Sequence, residues 1–169
     1  MKSARYLIGN IIVALLAATA PVSAQPGEQS HTFLSLIQAL DKAEPIDRSA
    51  LERALGHKLQ CTKVDPRSGR FDCGADNLQV GSVKIGKVDF RAGGFGSLLG
   101  LEDLAGDCFQ VTELDGQFDR GFDHQACADA ICWYRTYPRG WGRLSAKLGR
   151  NSDAKCAKSI ILNVDSNSH

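Results

Sequence analysis

Six cysteines constrain the fold of this chain more than any other feature of its sequence. All of them lie beyond residue 60, at Cys61, Cys73, Cys108, Cys127, Cys132 and Cys156. An even number of cysteines in an exported chain predicts disulfides. Zinc is the competing interpretation, but the chain has no Cys-x-x-Cys pair and no histidines at finger spacing. The sequence therefore predicts three disulfides and no metal site.

Six cysteines allow about fifteen connectivities, which loop geometry can rank. Residues 65–69, Asp-Pro-Arg-Ser-Gly, predict a tight turn, so the cysteines on either side of it would clamp a hairpin. Cys127 and Cys132 would close a short loop. The two that remain, Cys108 and Cys156, would tie a helix start to the final strand. This ranking favours the pairs Cys61–Cys73, Cys127–Cys132 and Cys108–Cys156.

The first 24 residues have the pattern of a removable secretory signal peptide. Lys2 and Arg5 supply positive charge before a mainly apolar run from Leu7 to Ala20. Val22-Ser23-Ala24 then has small residues where a signal peptidase cuts. The apolar run is shorter than the roughly 20 residues that a spanning helix needs, which argues against a membrane anchor.

Cleavage after Ala24 would leave about 145 residues, a length typical of one domain. We expect a flexible mature N-terminus over 25–31, a single domain over 32–164 and a disordered tail over 165–169. The protein would then be periplasmic or secreted, with no membrane span. Cleavage also leaves 18 basic and 19 acidic residues. Nucleic-acid binders carry a basic excess for phosphate contacts, so this balance argues against a nucleic-acid partner.

Apolar periodicity and capping residues predict three helices. Thr32–Leu40 has its apolar residues on one helical face. The segment 47–55 begins at an N-cap aspartate and stops at Gly56. A third helix is predicted to start at Asp107, which has the spacing of a capping box with Gln110.

Segments rich in β-branched, aromatic or alternating apolar residues predict antiparallel strands. They cover 58–64, 70–73, 78–85, 87–91, 131–137, 141–148 and 159–164. The predicted fold class is α+β, with helices packed on an antiparallel sheet and stapled by disulfides. Because a helix followed by strands occurs twice, the chain also fits two tandem units, over 32–104 and 105–164, whose sheets would join into one curved surface.

This order of elements resembles the β-lactamase inhibitor protein and its relative, the small lipoprotein of the outer-membrane assembly machinery. Those families have helices followed by an antiparallel sheet, with a glycine at the helix end as in Leu55-Gly56, and the inhibitor has two such units in tandem. No cysteine follows Ala24 to carry a lipid. The resemblance covers residues 32–164 and implies a protein-binding module that uses the exposed face of its sheet, without assigning any functional residue.

One stretch has the composition of a recognition surface, because tyrosine, tryptophan and arginine concentrate binding energy. Alternation puts Trp133, Arg135 and Tyr137 on one face of a strand. The aromatic residues of this stretch could also fill the core, with the arginines solvating the outside. Since Arg139 and Trp141 flank a turn, we expect them to be an exposed contact pair. The candidate partner-binding residues are Tyr134, Arg135, Tyr137, Arg139, Trp141 and Arg143, and the expected partner is another protein, with a cell-wall glycan as the alternative.

Enzyme motifs are absent from the sequence: it has no Gly-x-Ser-x-Gly elbow, no His-Glu-x-x-His helix and no phosphate loop. We therefore predict no catalytic residue and no cofactor, and interpret the chain as an exported protein-binding module of the inhibitor or immunity type. One alternative is a small secreted hydrolase or nuclease using His57 and His124, with Arg135 stabilising a phosphate. The other is a structural component of the cell envelope.

Disulfide formation gives the first test. Each bridge should contribute roughly 2 to 4 kcal/mol by restricting the unfolded chain. Urea unfolding of the oxidised and the reduced protein should therefore show a large loss of stability on reduction, and equal midpoints would exclude structural disulfides.

Overall fold

The computed structural model describes residues 32–43, 46–65, 69–93, 96–119, 121–126, 132–150 and 152–165. These residues form three helices, α1 (Phe33–Lys42), α2 (Arg48–Leu55) and α3 (Val111–Gln117). They also form eight strands, β1 (Gln60–Asp65), β2 (Arg70–Val80), β3 (Val83–Gly93), β4 (Gly96–Gly106), β5 (Phe122–Gln125), β6 (Trp133–Arg139), β7 (Gly142–Gly149) and β8 (Ser159–Asp165).

All eight strands belong to one antiparallel sheet with the order β1-β2-β3-β4-β8-β7-β6-β5. The first four strands follow α1 and α2, the last four follow α3, and the two sets meet where β4 pairs with β8. The α+β class predicted from the sequence is confirmed, although the sheet is larger than the helical part.

One side of the sheet, which we call the helix face, is defined by a row of paired residues across six strands. All members of the row are at most 5% exposed: Cys73, Phe90, Leu99, Leu162, Leu144 and Tyr137. The apolar side of α1 is buried too, and Phe33 packs edge-on against Phe109 at 4.8 Å between ring centres. Burial of these side chains is the main stabilising term, since apolar area removed from water drives folding.

The opposite side of the sheet, which we call the open face, shows the alternate residues of the same strands. On this face, the residues next to the buried row also pair across the six strands, and none of them is buried. They are Asp72, Arg91, Leu98, Asn163, Arg143 and Pro138. The helix-to-strand side-chain hydrogen bonds go to the helix face instead, from Arg139 to Asp41 on α1 and from Tyr137 to Asp115 on α3. In the described part of the chain, these helix contacts are therefore made with one side of the sheet only.

Strands β2, β3 and β4 share an irregularity on one line across the sheet. Asn77, Gly86 and Asp103 are skipped in the pairing register, and two of them have positive φ, 55° at Asn77 and 54° at Asp103. The alternation restarts beyond this line, so that Ile85 and Val88 are both buried. Such interruptions bend strands and increase their twist.

Several of the strand predictions need correction. The predicted strand 78–85 is wrong, because it crosses the turn at Gly81 and Ser82, and 70–73 is only the start of β2. Strands β4 and β5 were not predicted. The predicted tail is also one residue too long, since Asp165 ends β8.

The third helix starts later than Asp107. Its first residue is Val111, and the Glu113 carboxylate accepts a hydrogen bond from the backbone N–H of Gln110 at 3.1 Å. Glutamate three residues after the cap is the stronger capping signal, because its side chain reaches back to the cap backbone.

The disulfide prediction is confirmed for two pairs. Cys61 is bonded to Cys73 and Cys108 to Cys156, with Cα–Cα distances of 4.0 and 5.2 Å. Cys132 is disulfide-bonded as well, whereas Cys127 lies outside the described residues, as do 1–24, 25–31 and 166–169. Such bridges are typical of extracellular or periplasmic proteins. None of the three described helices has the length and apolar character to cross a bilayer.

Gly86 provides a test of the close approach between β3 and β4. A Cβ built there would lie 2.7 Å from Asp103 Cβ, so Gly86→Ala should lower the free energy of unfolding by about 1 to 3 kcal/mol. Gly116 in α3 has open space around its Cβ position, and Gly116→Ala should instead stabilise by about 1 kcal/mol or less. Urea unfolding measures both, and a neutral or stabilising Gly86→Ala would contradict the packing described for β3 and β4.

Glu52 gives the fold a defined dependence on acid pH. Its side chain, 8% exposed, accepts hydrogen bonds from Lys58 Nζ at 2.8 Å, Leu59 N at 3.0 Å and Arg48 Nε at 2.8 Å. These donors, Lys58 foremost, lower the pKa of Glu52 from 4.5 to about 2.

Because the folded state lowers this pKa, the stabilisation is present above about pH 4.5 and is lost as the pH falls to about 2. Glu52→Gln should therefore be less stable than the natural chain at pH 7, and the difference should shrink across this window. Unfolding midpoints measured from pH 7 to pH 2 provide the test, and a difference that stays constant would contradict the ion contacts of Glu52.

Candidate functional site

Among the residues that the structure describes, two grooves with different chemistry lie on the open face. The first, which we call the charged groove, has a volume of about 540 Å³ and runs over β1, β2 and β3. Its charges are partly neutralised by neighbouring arginines: Asp72 lies 3.3 Å from Arg70 Nε, and Asp89 lies 2.6 Å from Arg91 Nη2. The polar lining residues are His57, Lys58, Gln60, Thr62, Asp72, Asp76, Lys87 and Asp89.

The second, which we call the aromatic groove, has a volume of about 420 Å³ and extends from β4 over β8, β7 and β6 to the edge strand β5. Apolar, aromatic and small polar side chains alternate along it, and none of its lining residues is acidic. They are Leu98, Phe122, His124, Ala126, Tyr134, Thr136, Arg143, Ser145, Ile161 and Asn163.

Three rings form one side of the aromatic groove. The Phe122 ring lies 5.4 Å from the His124 ring, which stacks on Tyr134 at 5.8 Å between centres. Alternation puts Phe122 and His124 on the same side of β5, and His124 is paired with Tyr134 of β6. Phe122 is 52% exposed, so this aromatic edge is accessible.

The middle of the aromatic groove is held by small polar side chains. Thr136 Oγ1 and Ser145 Oγ lie 2.7 Å apart, and Thr136 is 1% exposed. Next to them, Ile161 lies opposite both Ser145 and Gly100. The Glu102 side chain lies over Gly100, with its Oε1 3.0 Å from the position that a Cβ would take there. This pattern yields a shallow, preformed recess of the kind that receives a protruding side chain.

The structure divides the six predicted partner-binding residues between the two faces. Tyr134 and Arg143 line the aromatic groove. Arg135 and Tyr137 lie on the helix face, as the alternation of β6 predicts, and Tyr137 is fully buried. The predicted residues therefore do not form one surface.

The expectation that Arg139 and Trp141 form an exposed contact pair is wrong, because both side chains are directed at α1. Trp141 is only 4% exposed. The Asp41 carboxylate of α1 accepts hydrogen bonds from Arg139 Nε and Nη2, both at 2.8 Å, and from Trp141 Nε1 at 3.2 Å. The guanidinium also lies 4.9 Å from the centre of the Phe118 ring, a cation–π distance. These groups attach α1 to the β6–β7 turn.

Arg135 is also occupied within the protein. It donates to Asp123 on β5 at 2.8 and 3.0 Å and to Asp115 on α3 at 2.8 Å. Arg135 holds the pKa of Asp123 below its usual value, while burial, and then the Asp115 carboxylate, raise the pKa of Tyr137. Arg135 therefore has its donors directed at carboxylates rather than at a substrate phosphate.

The histidines of the enzyme alternative lie far apart. His57 precedes β1 and His124 is on β5, so they lie at opposite edges of the eight-stranded sheet. At about 4.8 Å per strand this separation is roughly 30 Å, too far for both to act on one bond. In the residues that the structure describes, no three His, Cys, Asp or Glu side chains come together as a metal site.

Sequence reasoning missed the apolar part of the aromatic groove. Leu98 lies in the unpredicted β4, Ile161 in a strand whose faces were not assigned, and Phe122 in the unpredicted β5. The alternation of Phe122 and His124 was the one local signal for β5.

Comparisons of the chain with protein-family models, with curated proteins and with solved structures gave no match.

The different roles of Arg139 and Arg143 can be tested by their effects on stability. Arg139→Ala leaves Asp41 without two of its donors and should lower the free energy of unfolding by about 2 kcal/mol. Arg143→Ala, at an exposed position of the neighbouring strand, should change it by about 0.5 kcal/mol or less. Chemical denaturation measures both variants, and a neutral Arg139→Ala would contradict the Asp41 contact.

Proposed function

We propose that this chain is an exported protein-binding module of the inhibitor or immunity type, acting in the periplasm or outside the cell. Its contact surface would be the open face of the sheet, centred on the aromatic groove. The chain would block a partner by occupying it rather than by chemical reaction.

The observation that carries this proposal is the one-sided cover of the sheet. Leu98 and Ile161 are partly exposed on the open face, although their neighbours Leu99 and Leu162 on the same strands are at most 1% exposed. A partly apolar recess with aromatic residues at one side and polar groups around it has the composition of a protein interface.

The stiffness of the surface supports an inhibitory role. The aromatic groove is built on five paired strands, and the Cys108–Cys156 bridge lies next to β8. A surface that is already ordered loses little entropy on docking, which favours tight binding. The resemblance to β-lactamase inhibitor protein implies the same use of an exposed sheet face.

The charged groove supports the proposal less well as a contact centre. Its carboxylates Asp72 and Asp89 already have arginine partners. Burying such pairs costs desolvation energy that their mutual attraction only partly returns. We therefore place the centre of contact on β4, β8, β7, β6 and β5.

The test is affinity capture from an envelope extract with the full chain purified in oxidised form after export. Captured proteins are identified by mass spectrometry, purified, and titrated against the natural chain and its variants. Leu98→Asp and Phe122→Ala should weaken binding at least about tenfold, because each alters the apolar part of the aromatic groove.

Ser49→Asp is the matched control, because it introduces the same charge as Leu98→Asp at an exposed position of α2. Circular dichroism and thermal unfolding establish that each variant is folded. A partner whose affinity falls with Ser49→Asp but not with Leu98→Asp would place the contact on the helices and overturn the proposal. A folded chain that captures nothing while hydrolysing an envelope polymer would favour the enzyme alternative.

A further inference from the structure

We propose that the aromatic groove receives a loop of a partner protein that carries a carboxylate next to an apolar side chain, and that Arg143 binds this carboxylate. The inference rests on the proposed function and specifies the chemistry of the partner. The observation behind it is the charge of Arg143, which no carboxylate of the described residues neutralises.

Two arginines on the open face differ in whether a carboxylate of the described residues neutralises their charge. Arg91 and Arg143 belong to the same transverse row, on either side of Leu98 and Asn163. Arg91 donates to both carboxylate oxygens of Asp89, at 3.2 and 2.6 Å. Arg143 is exposed and forms no ion pair with any carboxylate of the described chain. Of this pair, Arg143 is the arginine whose donors are available to a ligand.

The surroundings of Arg143 favour an anionic group. None of the residues that line the aromatic groove is acidic. The Glu102 carboxylate lies over Gly100 at the β4 side of the groove, whereas Arg143 is on β7, two strands away. Guanidinium groups bind carboxylates through two parallel hydrogen bonds, a geometry that a planar fork makes specific. The apolar surface of Leu98 and Ile161 nearby excludes water on docking, which strengthens the charge interaction.

The same surroundings define the rest of the loop. Leu98, Ile161 and Phe122 offer apolar contact beside the arginine, so a carboxylate alone would leave this area unused. A volume of about 420 Å³ accommodates a few side chains rather than a whole helix face. We therefore expect an acidic residue and an adjacent apolar residue on one protruding loop of a protein.

The probe is a displayed library of random eight-residue loops on one small protein scaffold, selected on the oxidised full chain at low ionic strength. Selected loops should be enriched in Asp or Glu next to a large apolar residue. Replacing that acid by its amide should weaken binding about tenfold or more, and Arg143→Gln should have the same effect without adding to it. Arg91→Gln is the matched control and should change affinity less than about twofold.

The outcomes separate this inference from the proposed function. Loops that lose affinity with Leu98→Asp but not with Arg143→Gln would overturn the role of Arg143 and leave the open face as the binding surface. A selection that yields no loop sensitive to Leu98→Asp would count against both proposals.

Two other occupants have outcomes of their own in the same experiment. Displacement of the selected loops by uncharged cell-wall glycan fragments, together with direct glycan binding, would make the groove a glycan site and overturn the inference. A dimer in analytical ultracentrifugation that Arg143→Gln dissociates would identify the occupant as a second copy of this chain, which also contradicts a separate acidic partner.

Discussion

The pairing of β4 with β8 is the contact on which the rest of the structure depends. It aligns six residues of each strand and makes one sheet from strands that follow different helices. Because paired residues share a face, it continues the apolar row through Leu99 and Leu162 and through Leu101 and Ile160, all at most 1% exposed. A shift of one residue would turn these side chains toward solvent, so burial itself fixes the register.

The same alternation creates the open face and its two unlike parts. On the charged groove, Asp89 is neutralised by Arg91 within the chain, and a partner would have to desolvate a pair that is already satisfied. On the aromatic groove, Arg143 and the apolar side chains of Leu98 and Phe122 lie together without an acidic lining residue. The distribution of charge, rather than the size of either groove, therefore favours the aromatic groove for docking.

Local signals predicted the parts of this fold that local forces determine. The N-cap Asp47 and the left-handed Gly56 set the ends of α2 as expected. Long-range contacts were not predictable: Asp41 meets Arg139 across 98 positions, and no pattern near either residue indicates it. The prediction that Arg139 and Trp141 form an exposed contact pair was wrong for this reason. The aromatic groove was missed because β4 and β5 show weak alternation, and because pairing of distant strands brings its residues together.

Hydroxyl-radical footprinting of the free, oxidised protein, read by mass spectrometry at single residues, tests the one-sided sheet most directly. It compares neighbours on the same strands, Leu98 with Leu99 and Ile161 with Leu162. An open face requires faster oxidation of Leu98 and Ile161 than of their neighbours. Equal protection within both pairs would mean that another part of the chain or a second copy covers this face, and would contradict its use as a docking surface.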